Sequence, residues 1–122
     1  MMKLVFCLRR LPTLTREEFQ RYWLEQHGPL VRSHAKALAI RRYVQTHTLD
    51  GPTNAMLQAS RGGPDAYDGV AELWWDSPEA LAAATSTPEG RAAGTALLED
   101  ERRFIDLVRS PLFVTVEHPL IA

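Results

Sequence analysis

Phe19, Trp23, His27 and Leu30 recur at spacings of four, four and three residues, the period of a single helix face. Three of the four are apolar, so this face turns inward and takes His27 with it. An imidazole half-buried among apolar side chains titrates near neutrality and can take or give a proton. The plainer reading is a structural histidine, bonded to backbone groups freed where Gly28-Pro29 interrupts the helix. On spacing alone both readings stand.

Two further clusters carry polar groups in apolar settings. Tyr43, Gln45 and His47 alternate along a β-prone run and share one face of it. Glu72 and Trp74 share a face of Val70-Ala71-Glu72-Leu73-Trp74. A carboxylate there is costly to bury ionised. Either its pKa rises, or a cation such as Arg42 pairs with it across strands. Phe19, Tyr22, Trp23, Trp74 and Trp75 form an aromatic interior that would also suit a flat hydrophobic ligand. His27, His47 and Glu72 are the donor types of a two-His-one-carboxylate centre but show no ligand spacing, so no metal and no cofactor are expected. Phosphate-loop, CxxC, HExxH and GxSxG patterns are all missing. Cys7, inside an apolar run, reads as a strand residue and not a nucleophile. His34 and His118 read as surface.

The elements that must position these groups follow from pattern. Leu4 to Leu8 reads as a central first strand. Thr15-Arg16-Glu17-Glu18 is a capping box, opening a helix that should kink or break at Gly28-Pro29 and resume to about Leu38. Arg42 to Thr48 is a second strand, residues 50–67 read as a long surface loop, and Asp68 to Asp76 is a third strand. Ser77-Pro78-Glu79 and Thr87-Pro88-Glu89 each start a helix. The second helix offers Leu97, Phe104, Leu107 and Val108 for burial and residues 99–103 to solvent. Leu112 to Glu117 is the fourth strand. The order β-α-β-β-α-β predicts one α+β domain over 1–122, ferredoxin-like, with a four-stranded antiparallel sheet and its helices on one face. Strands apolar on both faces need cover on the bare side too, which a second copy can supply, so a homodimer is expected.

Bulk properties narrow the partners. Net charge is -1 and the arginine pairs are scattered, which disfavours nucleic acid. A single cysteine makes no internal disulfide. No apolar run reaches membrane-spanning length, and the first strand is too short for a signal segment, so no membrane partner and a cytoplasmic location are expected.

The segment Glu18 to Leu30, with its Tyr22-Trp23 pair followed by His27-Gly28-Pro29-Leu30, resembles the signature of the EthD-type proteins, named for ethyl tert-butyl ether degradation. Three more pieces match in order: Arg42 to His47, Asp68 to Trp74, and Glu101-Arg102-Arg103-Phe104-Ile105-Asp106. Together they cover most of the chain outside 50–67. The resemblance implies a dimeric α/β barrel. That superfamily includes cofactor-free oxygenases acting on polyketide quinols, polyketide cyclases and dehydratases, lactone isomerases and some haem-binding enzymes that use a proximal histidine. It implies a fold and a pocket more firmly than a reaction.

Two functions are therefore expected from different classes. The first is a cofactor-independent dehydratase, cyclase, isomerase or oxygenase acting on a small hydrophobic, aromatic or polyketide-like molecule. His27 would transfer the proton, with Glu72 and His47 as further catalytic groups. Tyr22, Trp23, Tyr43, Gln45, Trp74 and Phe104 would contact the ligand. The second is a non-catalytic binding or accessory protein in a degradation pathway.

Overall fold

The computed structural model describes residues 1–122. Four strands, β1 (Met2–Leu8), β2 (Arg42–His47), β3 (Gly69–Trp75) and β4 (Leu112–Val116), form one antiparallel sheet in the order β2-β3-β1-β4. Five α-helices connect them: α1 (Arg16–Tyr22), α2 (Gly28–His34), α3 (Pro52–Arg61), α4 (Pro78–Thr85) and α5 (Pro88–Glu101). β1 is central, as its apolar run predicts. No helix is long and apolar enough to cross a membrane.

The helix starts are local chemistry. The Thr15 hydroxyl accepts from the Glu18 amide while the Glu18 carboxylate accepts from the Thr15 amide. A cap of this kind contributes about 1 kcal/mol. The Ser77 and Thr87 hydroxyls cap α4 and α5 by accepting from the Ala80 and Gly90 amides, each followed by a proline whose missing N–H costs nothing there.

Cross-strand register sorts the side chains between two faces. Tyr43, Leu73, Leu4 and Val114 form one row, and Gln45, Ala71, Phe6 and Leu112 the next. These rows meet the helices, through a core of Phe6, Leu8, Phe19, Trp23, Ala71, Phe104 and Ile105. The other face carries Arg42, Trp74, Lys3 and Thr115, then Val44, Glu72, Val5 and Phe113. No helix lies over this second face. Helix cover on the first face thins toward β4, where Leu112 and Val114 are 56% and 54% exposed.

Two expectations need correction. Residues 50–67 are not a structureless loop: they hold α3, which Gly62 ends in the left-handed conformation at φ 61. None of its residues is fully buried: Ala55, Met56 and Ala59 fall at helical spacing but are exposed, and the less exposed positions are the polar Asn54 and Gln58. The second concerns α2, which stops at His34, short of Leu38. Leu38 is still buried and its carbonyl accepts from Trp75 Nε1 at 2.6 Å.

The joint between α4 and α5 is tight at one glycine and open at another. A Cβ at Gly90 would run into the Ala84 carbonyl, whereas one at Gly94 would meet nothing. Gly90→Ala should therefore destabilise the fold by about 1–3 kcal/mol through overpacking against backbone. Gly94→Ala should stabilise it by about 0.5–1 kcal/mol, the helix-interior cost of glycine. Urea unfolding of the two variants checks both signs.

Candidate active site

The site begins with a register change in the first helix. Between α1 and α2, residues Trp23–His27 form a π-helical turn, closed by Gly28 N–H donating to the Trp23 carbonyl. The kink or break expected at Gly28-Pro29 takes the form of this π turn, through which the backbone stays helical. The residue before the proline is Gly28, which has no Cβ to clash with the ring and keeps helical angles, φ -55 and ψ -51. The wider turn also leaves room for a proline that brings no N–H.

Gln45 locks this turn from the sheet. The Trp23 carbonyl can only accept, so the Gln45 amide nitrogen must face it, at 2.9 Å. The same nitrogen donates to the Tyr43 hydroxyl at 2.8 Å, and Gln45 Oε1 then accepts from His47 Nε2 at 2.8 Å. The His47 ring stacks on Trp23 at 4.5 Å. Burial lowers its pKa, so it serves this network as a neutral donor. A Cβ on Gly28 would come within 3.1 Å of the Gln45 nitrogen, so the motif residue is small because the sheet reaches so close.

His27 points the other way around the helix, toward α5. It is 5% exposed, and Nδ1 lies 2.7 Å from Asp100 Oδ2. The second oxygen of Asp100 accepts from the Tyr22 hydroxyl at 2.5 Å. Phe104, fully buried, lies under both rings, 5.0 Å from His27 and 5.1 Å from Tyr22. Burial pushes the His27 pKa below its ordinary value and outweighs the opposing pull of Asp100. The ring is therefore neutral at pH 7, with its proton on Nδ1 facing the carboxylate and its lone pair on Nε2. Nε2 has no hydrogen-bond partner in the chain, and it is not completely sealed, since no fully buried side-chain nitrogen or oxygen lacks a partner. An oriented neutral imidazole with one nitrogen unpaired has the hydrogen-bonding arrangement that a general base requires.

Asp100 corrects the expectation that 99–103 face solvent: it is 8% exposed. Ala93, Leu97, Asp100 and Phe104 recur at four, three and four, so the helix period carried the signal. Its neighbour Glu101 is partly buried, and burial together with the charge on Asp100 lifts its pKa to about 7. The Tyr43 phenol is raised by burial, with a smaller contribution from Glu101. Glu101 was likewise missed because a charged run reads as a solvated face.

The sequence-selected residues divide accordingly. Tyr22, His27 and Phe104 come together, while Trp23, Tyr43, Gln45 and His47 form the adjoining network on the same sheet face. Glu72 and Trp74 do not join them, because the register puts both on the opposite face. Glu72 pairs with Lys3 at 2.6 Å and not with Arg42. Trp74 lies under the Arg42 guanidinium at 4.7 Å and donates to Glu117 at 2.6 Å. His27, His47 and Glu72 therefore do not converge as metal ligands. A cavity of about 460 Å³ opens between α2 and β2, with Tyr43 and Gln45 among its lining.

Residues 11–108 match the EthD domain. The chain belongs to the EthD family. Among curated proteins no sequence matches it. Solved structures share the fold. An EthD family protein from Bacillus halodurans is similar at 24% identity and a TM-score of 0.62, over 97% of this chain and 100% of that one. A dimeric ferredoxin-like protein from Thermobifida fusca is similar at 14% identity and a TM-score of 0.58, over 95% and 90%. SnoaB from Streptomyces nogalater, a cofactor-independent oxygenase, is similar at 17% identity and a TM-score of 0.54, over 98% and 95%. The segment Glu18 to Leu30, which lies within the matched EthD residues, is the stretch that builds the π turn and carries His27.

Two outcomes follow for the EthD site. Gln45→Leu leaves the Tyr43 hydroxyl and the π turn without their shared donor. It should lower stability by about 1–3 kcal/mol in urea unfolding and shift the His27 ring resonances in NMR spectra. Glu101 binds its proton more tightly folded, near pH 7, than unfolded, near 4.5. Its contribution to stability is thus full below pH 4.5 and is lost as pH rises through 7. Glu101→Gln should match the parent at pH 4 and exceed it in melting temperature at pH 8, as a thermal series across pH shows.

Proposed function

We propose that this EthD chain is a cofactor-independent enzyme that moves a proton on a small hydrophobic molecule of aromatic or polyketide-like character. The reaction class is dehydration, cyclisation, isomerisation or oxygenation initiated by deprotonation. The observation that carries the reading is the His27–Asp100 pair at 2.7 Å with Nε2 left free. In this reading Nε2 removes a proton from an activated C–H or O–H of the ligand. The ring becomes imidazolium and Asp100 balances its charge, while the electron pair left behind delocalises onto a ligand oxygen. The likeness to SnoaB, a cofactor-independent oxygenase, supports this class of chemistry.

The protein would work as a homodimer in the cytoplasm, one 1–122 domain per subunit. The helix-free sheet face supports this, since it presents Val5, Val44 and Phe113, the last 50% exposed. The likeness to a dimeric ferredoxin-like protein points the same way.

A second reading is a carrier that holds the same class of compound without turning it over. The depth of His27, and the way Asp100 ties α1 to α5 through Tyr22, favour it. Turnover of a panel of hydroxylated aromatic and polyketide-type compounds separates the two. His27→Ala should abolish turnover, a loss of at least about a hundredfold, while sedimentation still shows a dimer. Undiminished turnover removes His27 from the chemistry. Binding without turnover in the parent protein leaves the carrier.

A further inference from the structure

The cavity of about 460 Å³ between α2 and β2 combines apolar walls with uncompensated positive charge. Val31, Ala35 and Ile40 give it apolar surface, and Arg32, Arg41 and Arg42 line it, with no aspartate or glutamate among the lining residues. Arg32 pairs with no carboxylate of the chain. Arg41 approaches Asp76 only to 3.6 Å, with both side chains more than half exposed, a pair that contributes little. The Arg42 guanidinium lies over Trp74 on the far sheet face, which leaves Arg32 and Arg41 to set the charge at the mouth.

The polar cavity at the end of β1 makes the contrast. It holds about 470 Å³ and four arginines, but Asp50, Asp65 and Asp68 line it as well. Asp68 alone takes both Arg10, at 2.5 Å, and Arg16, at 3.0 Å. Charge there is cancelled inside the chain, whereas beside α2 it is not.

We propose that the α2–β2 cavity binds a small apolar acid. A carboxylate meets Arg32 and Arg41, and the hydrocarbon or aromatic body lies on Val31, Ala35 and Ile40. The Tyr43 hydroxyl, which accepts from Gln45, keeps its own proton to donate to a ligand oxygen. This goes beyond the enzyme reading above and does not rest on it, since His27 is not among the residues that line this cavity.

The test is titration of the full chain with 2-naphthoate and, separately, with the neutral 2-naphthalenemethanol, followed by amide NMR and calorimetry. 2-Naphthoate should bind saturably, shift Arg32, Ile40 and Tyr43, and bind at least tenfold tighter than the alcohol. Its affinity should fall as salt rises. Arg32→Glu with Arg41→Glu, both changes at exposed positions, should cost at least tenfold for the acid and little for the alcohol. Equal binding of acid and alcohol, or charge-reversed protein that binds the acid unchanged, overturns the proposal. His27 does not line this cavity, so naphthoate binding and His27-dependent turnover read separate groups. Turnover of neutral compounds without naphthoate binding would therefore sink only the acid site, and naphthoate binding without His27-dependent turnover would sink only the enzyme.

Discussion

A buried carboxylate holds the first helical unit of this protein in register with α5. Asp100, at the C-terminal end of α5, accepts from Tyr22 and from His27 through separate oxygens. An isolated carboxylate at this depth would be strongly disfavoured, and two donors from the first helical unit offset that cost. Because both donors lie on the same helix, they fix its rotation as well as its distance from α5. Phe104, one turn further along the chain, fills the space beneath both rings, so the polar clasp rests on an aromatic floor.

That rotation is available only because the helix changes pitch. The π turn at Trp23–His27 inserts an extra residue into one turn. The change in phase lets Trp23 pack on the sheet and His27 face α5 from neighbouring positions. A widened turn needs support, and the sheet supplies it through Gln45, itself oriented by Tyr43 and His47. The His-Gly-Pro-Leu signature then has a physical account. Histidine supplies the free nitrogen, glycine admits the Gln45 amide, and proline is tolerated because the turn around it is wide.

The two sheet faces do different work. The helix-facing rows carry the sheet's share of the core, together with Tyr43 and Gln45, which line the α2–β2 cavity. The far face carries a charged lattice in which Lys3 joins Glu72 and Glu117 around Trp74. This lattice satisfies Glu72 within the chain, so the residue that looked most anomalous in the sequence has a structural answer. Cys7 belongs to the far face too, and burial raises its thiol pKa, which suits an inert strand residue.

Local chemistry and period determined much of this protein in advance. Caps at Thr15, Ser77 and Thr87, the alternation in β2 and β3, and the four-four-three stripe through His27 act over a few residues, so they can be read from the chain alone. The order of elements, the ferredoxin-like sheet and the inward histidine all followed from them. α3 was missed although Ala55, Met56 and Ala59 recur at helical spacing, because the stretch is short, starts at Gly51-Pro52 and ends at Gly62-Gly63, which read as loop signals. Asp100 lay on a legible stripe, yet its charge argued for solvent until Tyr22 and His27, more than seventy positions away, were placed against it. Strand register alone decided that Glu72 and Trp74 turn away from the site, since shifting a strand by one residue exchanges its faces. Sequence settles what neighbours along the chain can do for each other; partners that meet only through the fold, and the face each side chain shows, belong to the tertiary structure.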